Sequence, residues 1–198
     1  MSIYETVNFA LKHRILGSRL IEVEIKGYAD RSLKKLLDER YKVADVRLQE
    51  DIYFSHPCRD MRQTDEALRI RVERRKKEEV ASLTYKGPRV DEKSKTREEI
   101  EVGVTDPRGL KMILERLGFR VIAHIRKRRT IYSTEGFKLS FDEVDGLGCF
   151  VEVEEKVKSL KGYQERRDKL LNFMKDLGIS GLERRSYLEL MLDKLTKG

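Results

Sequence analysis

Cysteine and histidine are scarce in this sequence, which has two cysteines and three histidines in 198 residues. Cys58 and Cys149 stand far apart and lack Cys-x-x-Cys spacing. We therefore expect packed thiols of a cytoplasmic protein rather than a disulfide or a zinc site. His13, His56 and His124 are isolated from one another in the sequence, and we expect them to be structural.

Long apolar runs and familiar catalytic motifs are also missing. No segment approaches the ~20 apolar residues of a membrane-spanning helix, so no membrane partner is expected. The first 19 residues are too polar for a secretory signal. We interpret them as an N-terminal extension, helical or flexible, before one domain at residues 20–198. The motifs GxxxxGKS/T, HExxH and GxSxG do not occur, so the chemistry has to come from other residues.

Charge of both signs is abundant. Lysine and arginine number 43 against 35 acidic residues, the net charge is +8, and charged residues make up 39% of the chain. The basic excess favours an anionic partner such as a nucleotide, a polyphosphate or a nucleic acid. A salt-bridged surface adapted to heat has a similar composition, so charge alone does not decide the function.

Charged and aliphatic residues alternate in the stretch EVEIK, residues 22–26. On a β-strand this places Glu22, Glu24 and Lys26 on one face and Val23 and Ile25 on the other. Similar alternation recurs in ALRIRVE, SLTYKGP, TREEIEVGV, IRKRRTIY, FKLSFDEV and FVEVEEK. Such runs, ended by Gly, Pro or Asp, are typical of antiparallel strands, about eight in this chain.

Other segments have apolar residues at helical spacing. An Asp30 cap opens the first, and a Thr–Asp cap, Pro107 in the first turn and Gly118 as a stop delimit the second. The segments predicted to be amphipathic helices are residues 30–41, 105–118, 162–178 and 182–195. Without repeats or low-complexity linkers, the sequence predicts one α+β domain.

Any single charged strand face is most simply explained as a face in solvent. Its repetition favours a closed eight-stranded antiparallel β-barrel, with a polar, charged lumen and helices packed on an apolar outside. The cations predicted to share the lumen are Lys26, Arg69, Arg71, Lys86, Arg97, Lys127 and Arg129. The acids are Glu22, Glu24, Glu99, Glu101, Asp142, Glu152 and Glu154.

A charged lumen has to neutralise its charges or carry a large energetic cost. Alternate carboxylates on one strand face lie roughly 6.5–7 Å apart. Flexible side chains at that spacing can both bind one hard cation, with metal–oxygen distances of about 2.0–2.2 Å. An all-oxygen ligand set favours Mg²⁺ or Mn²⁺ over zinc. The lysines and arginines then require an anion with several oxygens, and a metal-bridged triphosphate meets that requirement.

EVEIK resembles the ExExK strand of the CYTH superfamily, the triphosphate tunnel metalloenzymes. The similarity continues in order through DIYF, ALRIR, YKGP, KRRTIY, FDEVDGLGCFVEVE and RSY, and covers residues 20–192. The segment FDEVDGLGCFVEVE is most similar to the branch that contains the class IV adenylyl cyclases. The resemblance implies an eight-stranded antiparallel tunnel, dependence on Mg²⁺ or Mn²⁺, and a triphosphate substrate.

The resemblance also implies roles for individual residues. The metal carboxylates would be Glu22, Glu24, Glu152 and Glu154. The triphosphate ligands would be Lys26, Arg69, Arg71, Lys86, Arg97, Lys127, Arg129 and, from a C-terminal helix near one mouth, Arg185. Asp142 matches an aspartate of the cyclase pocket. The catalytic residues would be Glu22, Glu24, Lys26 and Asp142.

The sequence leaves the reaction open. Hydrolysis sends water to a terminal phosphorus, whereas cyclisation of ATP sends the ribose 3′ oxygen to the α-phosphorus and releases pyrophosphate. Both reactions use the same metal clamp and cationic cradle. We favour hydrolysis of a nucleoside triphosphate, thiamine triphosphate or tripolyphosphate, with the cyclase as the alternative. Only cyclisation needs a nucleoside pocket, and the polar loop at residues 55–67 is more simply a connection.

A non-catalytic RNA- or polyphosphate-binding module is a further alternative, suggested by the basic runs RVERRKK and IRKRR. No aromatic residues lie among these cations to stack bases, and the paired glutamates would repel a nucleic-acid backbone. A small triphosphate is therefore the expected partner, in preference to a nucleic acid. The sequence does not determine whether the chain is a monomer or a homodimer.

Overall fold

The structure is a computed structural model that describes residues 18–76, 78–89, 97–157 and 161–197. The strands are β1 (Ser18–Ala29), β2 (Val43–Ser55), β3 (Ala67–Arg75), β4 (Glu78–Arg89), β5 (Arg97–Val104), β6 (Arg120–Tyr132), β7 (Lys138–Val144) and β8 (Gly148–Val157). The helices are α1 (Arg31–Arg40), α2 (Pro107–Arg116), α3 (Tyr163–Asp176) and α4 (Tyr187–Lys197). Residues 1–17 of the predicted N-terminal extension lie outside the described residues.

The strands form a closed antiparallel barrel in the order β1-β5-β4-β3-β2-β6-β7-β8. Closure comes from β1, which pairs with β5 on one side and with β8 on the other. The register opposes charges across both ladders, with Glu22 facing Arg97 and Lys26 facing Glu152. The predicted eight-stranded barrel is confirmed. No helix among the described residues has the length and apolar character to cross a membrane.

Caps fix where the first two helices begin, as the sequence predicts. The Asp30 side chain accepts hydrogen bonds from the N–H groups of Ser32 and Leu33, and Asp106 accepts one from Gly109. Each bond satisfies a donor that has no partner within the helix. Gly118 has a φ of 91°, a conformation that favours glycine, just after α2 ends.

The last helix begins later than the sequence predicts, at Tyr187 rather than residue 182. Ser186 Oγ accepts from the Glu189 N–H at 3.1 Å, and Glu189 Oε2 accepts from the Ser186 N–H at 2.5 Å. This reciprocal capping box starts the helix. The residues before it run alongside β1 instead, where the Glu183 N–H donates to the Lys26 carbonyl at 2.8 Å.

Apolar side chains cover the outside of the barrel, as predicted. Val23, Val153 and their neighbours on β1, β7 and β8 pack in one cluster with Leu170 and Met174 of α3. On another side, Leu114 of α2 packs in a cluster with residues of β2 and β3. The helices therefore bury these parts of the outer surface, and the charged faces of the strands lie inside.

One end of the lumen is apolar, which the sequence analysis does not predict. Tyr53, Ile125 and Phe150 lie on the lumen faces of their strands and cluster with Tyr187 and Leu188 of α4. At this end of β6 and β8 the lumen-facing side chains are apolar rather than charged, because α4 supplies apolar partners for them. The C-terminal helix thus packs against this end of the barrel interior.

Candidate active site

A cavity of about 790 Å³ occupies the barrel, within the roughly 300–1,000 Å³ typical of ligand pockets. The predicted site residues that line it are Glu22, Glu24, Arg69, Arg71, Lys86, Arg97, Lys127, Arg129, Glu152, Glu154 and Arg185. Lys26 and Asp142 do not line the cavity and are 2% and 0% exposed. The structure therefore gathers most of the predicted residues around one space.

On strand β6, successive basic side chains point alternately into the barrel and into solvent. Lys127 and Arg129 are buried in the barrel, whereas the side chains of Arg126 and Arg128 are 67% and 59% exposed. Neighbouring basic residues of the run IRKRR thus have opposite environments, as expected for an extended strand with one face on the lumen.

Asp142 on β7 is the centre of a buried polar cluster. Its carboxylate accepts from Arg129 Nε at 2.6 Å, from Lys127 Nζ at 3.0 Å and from the Tyr187 hydroxyl at 2.9 Å. Burial alone would raise the pKa of this carboxyl group, but Arg129 and Lys127 hold the pKa below its ordinary value. Asp142 is therefore a carboxylate that fixes cations.

Lys127 is buried near two guanidinium groups, Arg129 and Arg71, as well as near the carboxylates of Asp142 and Glu152. Burial, followed by the nearby charge of Arg129, lowers its pKa to about 8, although Asp142 acts in the opposite direction. A buried ammonium group next to guanidinium groups is destabilised in its charged form. An anion bound in the cavity would relieve that repulsion.

Asp51 is a buried charge that the sequence analysis missed. It is 0% exposed and accepts two hydrogen bonds of 2.6 Å from Arg71, with Arg69 Nη1 3.7 Å away. Burial would raise the pKa of Asp51, but the two arginines hold it well below its usual range. A sequence signal was present in DIYF, where Asp51 and Tyr53 share one strand face.

Glu22, Glu99 and Lys86 form a second charged group, at the β1, β4 and β5 side of the lumen. Lys86 forms an ion pair with Glu99 and lies 4.0 Å from Glu22 Oε2. Burial, together with the nearby carboxylates of Glu99 and Glu154, raises the pKa of Glu22 well above its ordinary value despite Lys86. Glu22 is therefore a buried carboxyl group whose charged form is disfavoured in the absence of a further cation.

The four predicted metal carboxylates lie on two adjacent strands, with Glu24 directly opposite Glu154 in the β1–β8 register. Glu152 is ion-paired with Arg129, and Glu154 with Lys138 at 2.9 Å. Within the described residues, no three acidic, histidine or cysteine side chains are grouped as a formed metal site. The all-oxygen donor set and the raised pKa of Glu22 nevertheless fit a hard divalent cation.

The predicted arginines at the edge of the cavity are engaged with acidic residues or backbone. Arg97 donates to the Asp65 carbonyl at 3.0 Å. Arg185, whose side chain is 44% exposed, pairs with Glu183 and with Asp193 at 2.9 Å. A phosphate that binds either guanidinium therefore competes with an existing partner.

Tyr187 is a further residue whose role sequence reasoning missed. It is 6% exposed, lines the cavity and donates to Asp142. Lys26 Nζ and Lys127 Nζ lie 4.1 and 4.6 Å from its ring centroid. The segment RSY contained the signal, but sequence periodicity assigned Tyr187 to an ordinary helix.

Comparison with protein families matches the CYTH domain to residues 20–187, which span the barrel and the start of α4. The chain belongs to the CYTH family. CYTH proteins are in general metal-dependent enzymes that act on triphosphates, and this chain is accordingly an enzyme.

Similar proteins agree with the CYTH assignment. A Methanocaldococcus jannaschii protein named as a candidate adenylate cyclase is 42% identical over 179 residues, 86% of this chain and 98% of the relative. The structure of the PH1819 protein from Pyrococcus horikoshii OT3 has a TM-score of 0.85 at 46% identity, over 87% of this chain and 99% of that chain. A Hippeastrum adenylyl cyclase candidate, described as having a dominant triphosphatase activity, has a TM-score of 0.63 at 20% identity, over 88% of this chain and 96% of that chain.

Proposed function

We propose that this CYTH protein hydrolyses a triphosphate bound inside the barrel, with Mg²⁺ or Mn²⁺ as cofactor. The observation that carries the proposal is a set of buried cations around one cavity, some of them held at an energetic cost. Lys127, with its lowered pKa, is one such cation. Triphosphate oxygens would add negative charge beside it, in addition to that of Asp142, and favour its charged form.

Arg69 supports the same conclusion. It lines the cavity, is 6% exposed, and its Nε has no hydrogen-bond partner among the described residues. Its Nη2 donates to Thr84 at 3.2 Å. A buried guanidinium with an unused N–H is costly unless a ligand accepts from it. A phosphate oxygen is the acceptor that matches both its charge and its geometry.

The carboxylates of β1 and β8 would hold the divalent cation. The ligands would be oxygens of Glu22, Glu24, Glu152 and Glu154. A bound cation would favour the charged form of Glu22, whose pKa is raised by burial and by neighbouring carboxylates. When bound, the metal supplies charge stabilisation for the phosphates. The lumen lysines and arginines hold the phosphate oxygens in line, while the barrel wall limits access of bulk water.

Cyclisation of ATP is the second candidate function. It is favoured by the Methanocaldococcus jannaschii relative, which carries an adenylate cyclase name at 42% identity. The reaction would use the same cations and carboxylates but would require the ribose 3′ oxygen to lie against the α-phosphorus.

One assay separates the two reactions. The protein is incubated with ATP, tripolyphosphate or thiamine triphosphate and Mg²⁺ or Mn²⁺, and the products are quantified. We expect inorganic phosphate from at least one triphosphate, and ADP rather than cyclic AMP from ATP. Cyclic AMP with stoichiometric pyrophosphate would assign the cyclase reaction instead. Metal-independent RNA binding without turnover of any triphosphate would contradict both.

A further inference from the structure

Asp51 on β2 is a buried carboxylate that contacts two predicted phosphate-binding arginines without lining the cavity itself. It is 0% exposed, whereas Arg69 and Arg71 of β3 both line the cavity. Asp51 lies directly opposite Arg71 in the β2–β3 register, and Tyr53, two residues along, lies opposite Arg69. Side chains two residues apart on a strand share one face. The carboxylate therefore stands on the lumen side, next to both guanidinium groups.

The bond between Asp51 and Arg71 uses only one edge of the guanidinium group. The two carboxylate oxygens accept from Nε and Nη2 of Arg71, each at 2.6 Å. A guanidinium group has five N–H donors in one plane, so three of them lie outside this pair. A phosphate oxygen can accept from those donors while the pair stays in place. Binding of an anion to Arg71 therefore does not require that Asp51 be displaced.

Asp51 also brings together two cations that repel each other. Arg69 Nη1 is 3.7 Å from Asp51 Oδ2. Burial and the nearby charge of Arg71 would lower the pKa of Arg69, but acidic groups led by Asp51 raise it above its ordinary value. Without that carboxylate, two like charges would lie side by side in a buried space, which is costly. Asp51 therefore allows both arginines to lie at one place on the wall.

Other carboxylates of the lumen compete for these arginines. Glu99 of β5 is near enough to affect the pKa of Arg69, and it already forms an ion pair with Lys86. If Arg69 turned toward Glu99, an incoming phosphate would have to break that new pair. As the structure stands, Arg69 Nε has no hydrogen-bond partner among the described residues. That N–H group is therefore available to a ligand.

We propose that Asp51 is a positioning residue, which holds Arg69 and Arg71 together so that their remaining N–H groups bind the polyphosphate. The inference rests on the proposed triphosphate substrate, but it concerns binding and can be tested without turnover. A positioning role and a simple charge effect differ in sign. Removal of a negative charge from the lumen would by itself strengthen the binding of a polyanion, whereas loss of the arrangement of the arginines weakens it.

The test is isothermal titration, in the presence of Mg²⁺, with a methylene-bridged triphosphate that cannot be hydrolysed. Asp51→Asn keeps the size of the side chain, but an amide has only one acceptor oxygen and cannot accept from Nε and Nη2 side by side. We expect this variant to bind the probe at least about tenfold more weakly than wild type.

Asp51→Glu provides a second variant that keeps the charge and the ion pairs. It should fold even where the asparagine variant does not, and its longer side chain displaces the carboxylate. We expect it to bind the probe at least about threefold more weakly than wild type. Affinity equal to or tighter than that of wild type in every folded variant at position 51 would overturn the proposal.

A double-mutant cycle tests whether Asp51 acts through an arginine. Arg71→Met removes the guanidinium group and keeps an unbranched side chain. In that background, Asp51→Asn should weaken binding of the probe by about threefold or less, because the main group that Asp51 holds is gone. An effect of the same size in both backgrounds would overturn the proposal, since Asp51 would then act independently of Arg71.

Ile70→Ala is the matched control for a loss of stability. Ile70 lies between the two arginines on β3, is 0% exposed and packs in a cluster with Leu114 outside the barrel. The substitution should lower the thermal midpoint of unfolding and leave probe affinity within about threefold. Equal weakening by Ile70→Ala and Asp51→Asn would overturn the proposal, because a loosened strand would explain both.

The same titrations separate this inference from the proposed hydrolysis. Binding of the probe by wild type without turnover of tripolyphosphate would contradict hydrolysis alone and leave the comparison of variants intact. Turnover by wild type with unchanged affinity in the variants at position 51 would contradict the positioning role alone. Absence of any binding by wild type would contradict the triphosphate site and this inference together.

Discussion

At the scale of single residues, β6 shows how strand parity divides adjacent basic side chains between solvent and lumen. Lys127→Ala and Arg129→Ala should each lower kcat/KM for the triphosphate by roughly 10- to 150-fold, because a charge-assisted contact contributes about 1.5–3 kcal/mol. Arg126→Ala and Arg128→Ala should have little effect, because their side chains lie outside the barrel. Steady-state kinetics of all four variants measure the difference. Equal losses at the four positions would contradict a lumen site.

Asp51 shows how much a single buried carboxylate contributes to stability. Asp51→Ala leaves Arg71 without its bidentate partner, so the free energy of unfolding should fall by about 3–5 kcal/mol in urea titrations. Asp60→Ala is the control: it removes an ion pair with Arg62, whose side chain is 70% exposed, and should change the free energy of unfolding far less than Asp51→Ala.

The pH dependence of stability provides a second measurement on Asp51. Its pKa is lowered in the folded protein, so its contribution is present above the unfolded pKa of about 3.9 and is lost as pH falls toward the folded value. As the pH is lowered from about 5 to about 2, the free energy of unfolding should therefore fall more in wild type than in Asp51→Ala. Parallel curves for the two proteins would show that Asp51 does not titrate as described.

Lys127 should take up a proton when the triphosphate binds. Its pKa is lowered to about 8 in the protein, and bound phosphate would raise it by favouring the charged form. Isothermal titrations of the protein with tripolyphosphate at pH 8.5, about half a unit above that pKa, should therefore show net proton uptake. The uptake is measured by comparing buffers of different ionisation enthalpy. The same titrations near pH ~6.5, where nearly every Lys127 side chain is already charged before binding, should show much less proton uptake. Lys127→Met should abolish this difference in proton uptake between the two pH values. If the difference persists in the variant, a group other than Lys127 takes up the proton.

At the scale of secondary-structure elements, the alternation of charged and aliphatic residues was sufficient to predict the strands and the closed barrel. The caps at Asp30 and Asp106 likewise marked the starts of two helices. The contact of Tyr187 with two lysines could not be predicted in the same way. Those residues lie on α4, β1 and β6, and only the folded chain brings them together.

The contact between β1 and the segment before α4 depends on a glycine. A Cβ atom at Gly27 would collide with Ile179 and lie 3.2 Å from the Gly181 carbonyl oxygen. Gly27→Ala should therefore push the segment away, lower the free energy of unfolding by about 1–3 kcal/mol and weaken tripolyphosphate binding. Gly103→Ala is the control, because its Cβ would meet no atom within 4 Å. If both variants behave like wild type in thermal unfolding and titration, the close approach is unimportant.

At the scale of the whole molecule, the barrel confines dense charge of both signs in an interior that helices cover from outside. The negative charge is concentrated on β1 and β8, where Glu24 faces Glu154. Glu24→Gln preserves size and should retain the fold, but it should weaken Mn²⁺ binding by at least about tenfold and remove most activity. Isothermal titration with Mn²⁺ measures the affinity. Unchanged affinity in both Glu22→Gln and Glu24→Gln would contradict the proposed metal role.

Closure of the barrel through β1 has a consequence for synthesis of the chain. Ile21, near the start of β1, pairs with Val157 at the end of β8, so the last ladder joins segments that are far apart in sequence. Contacts of such separation form slowly, because the intervening chain has to be ordered first. During translation, β1 emerges early and has to wait for β8, with its edge exposed and its glutamates hydrated. The enclosed charged lumen can therefore form only after the segment through β8 has left the ribosome.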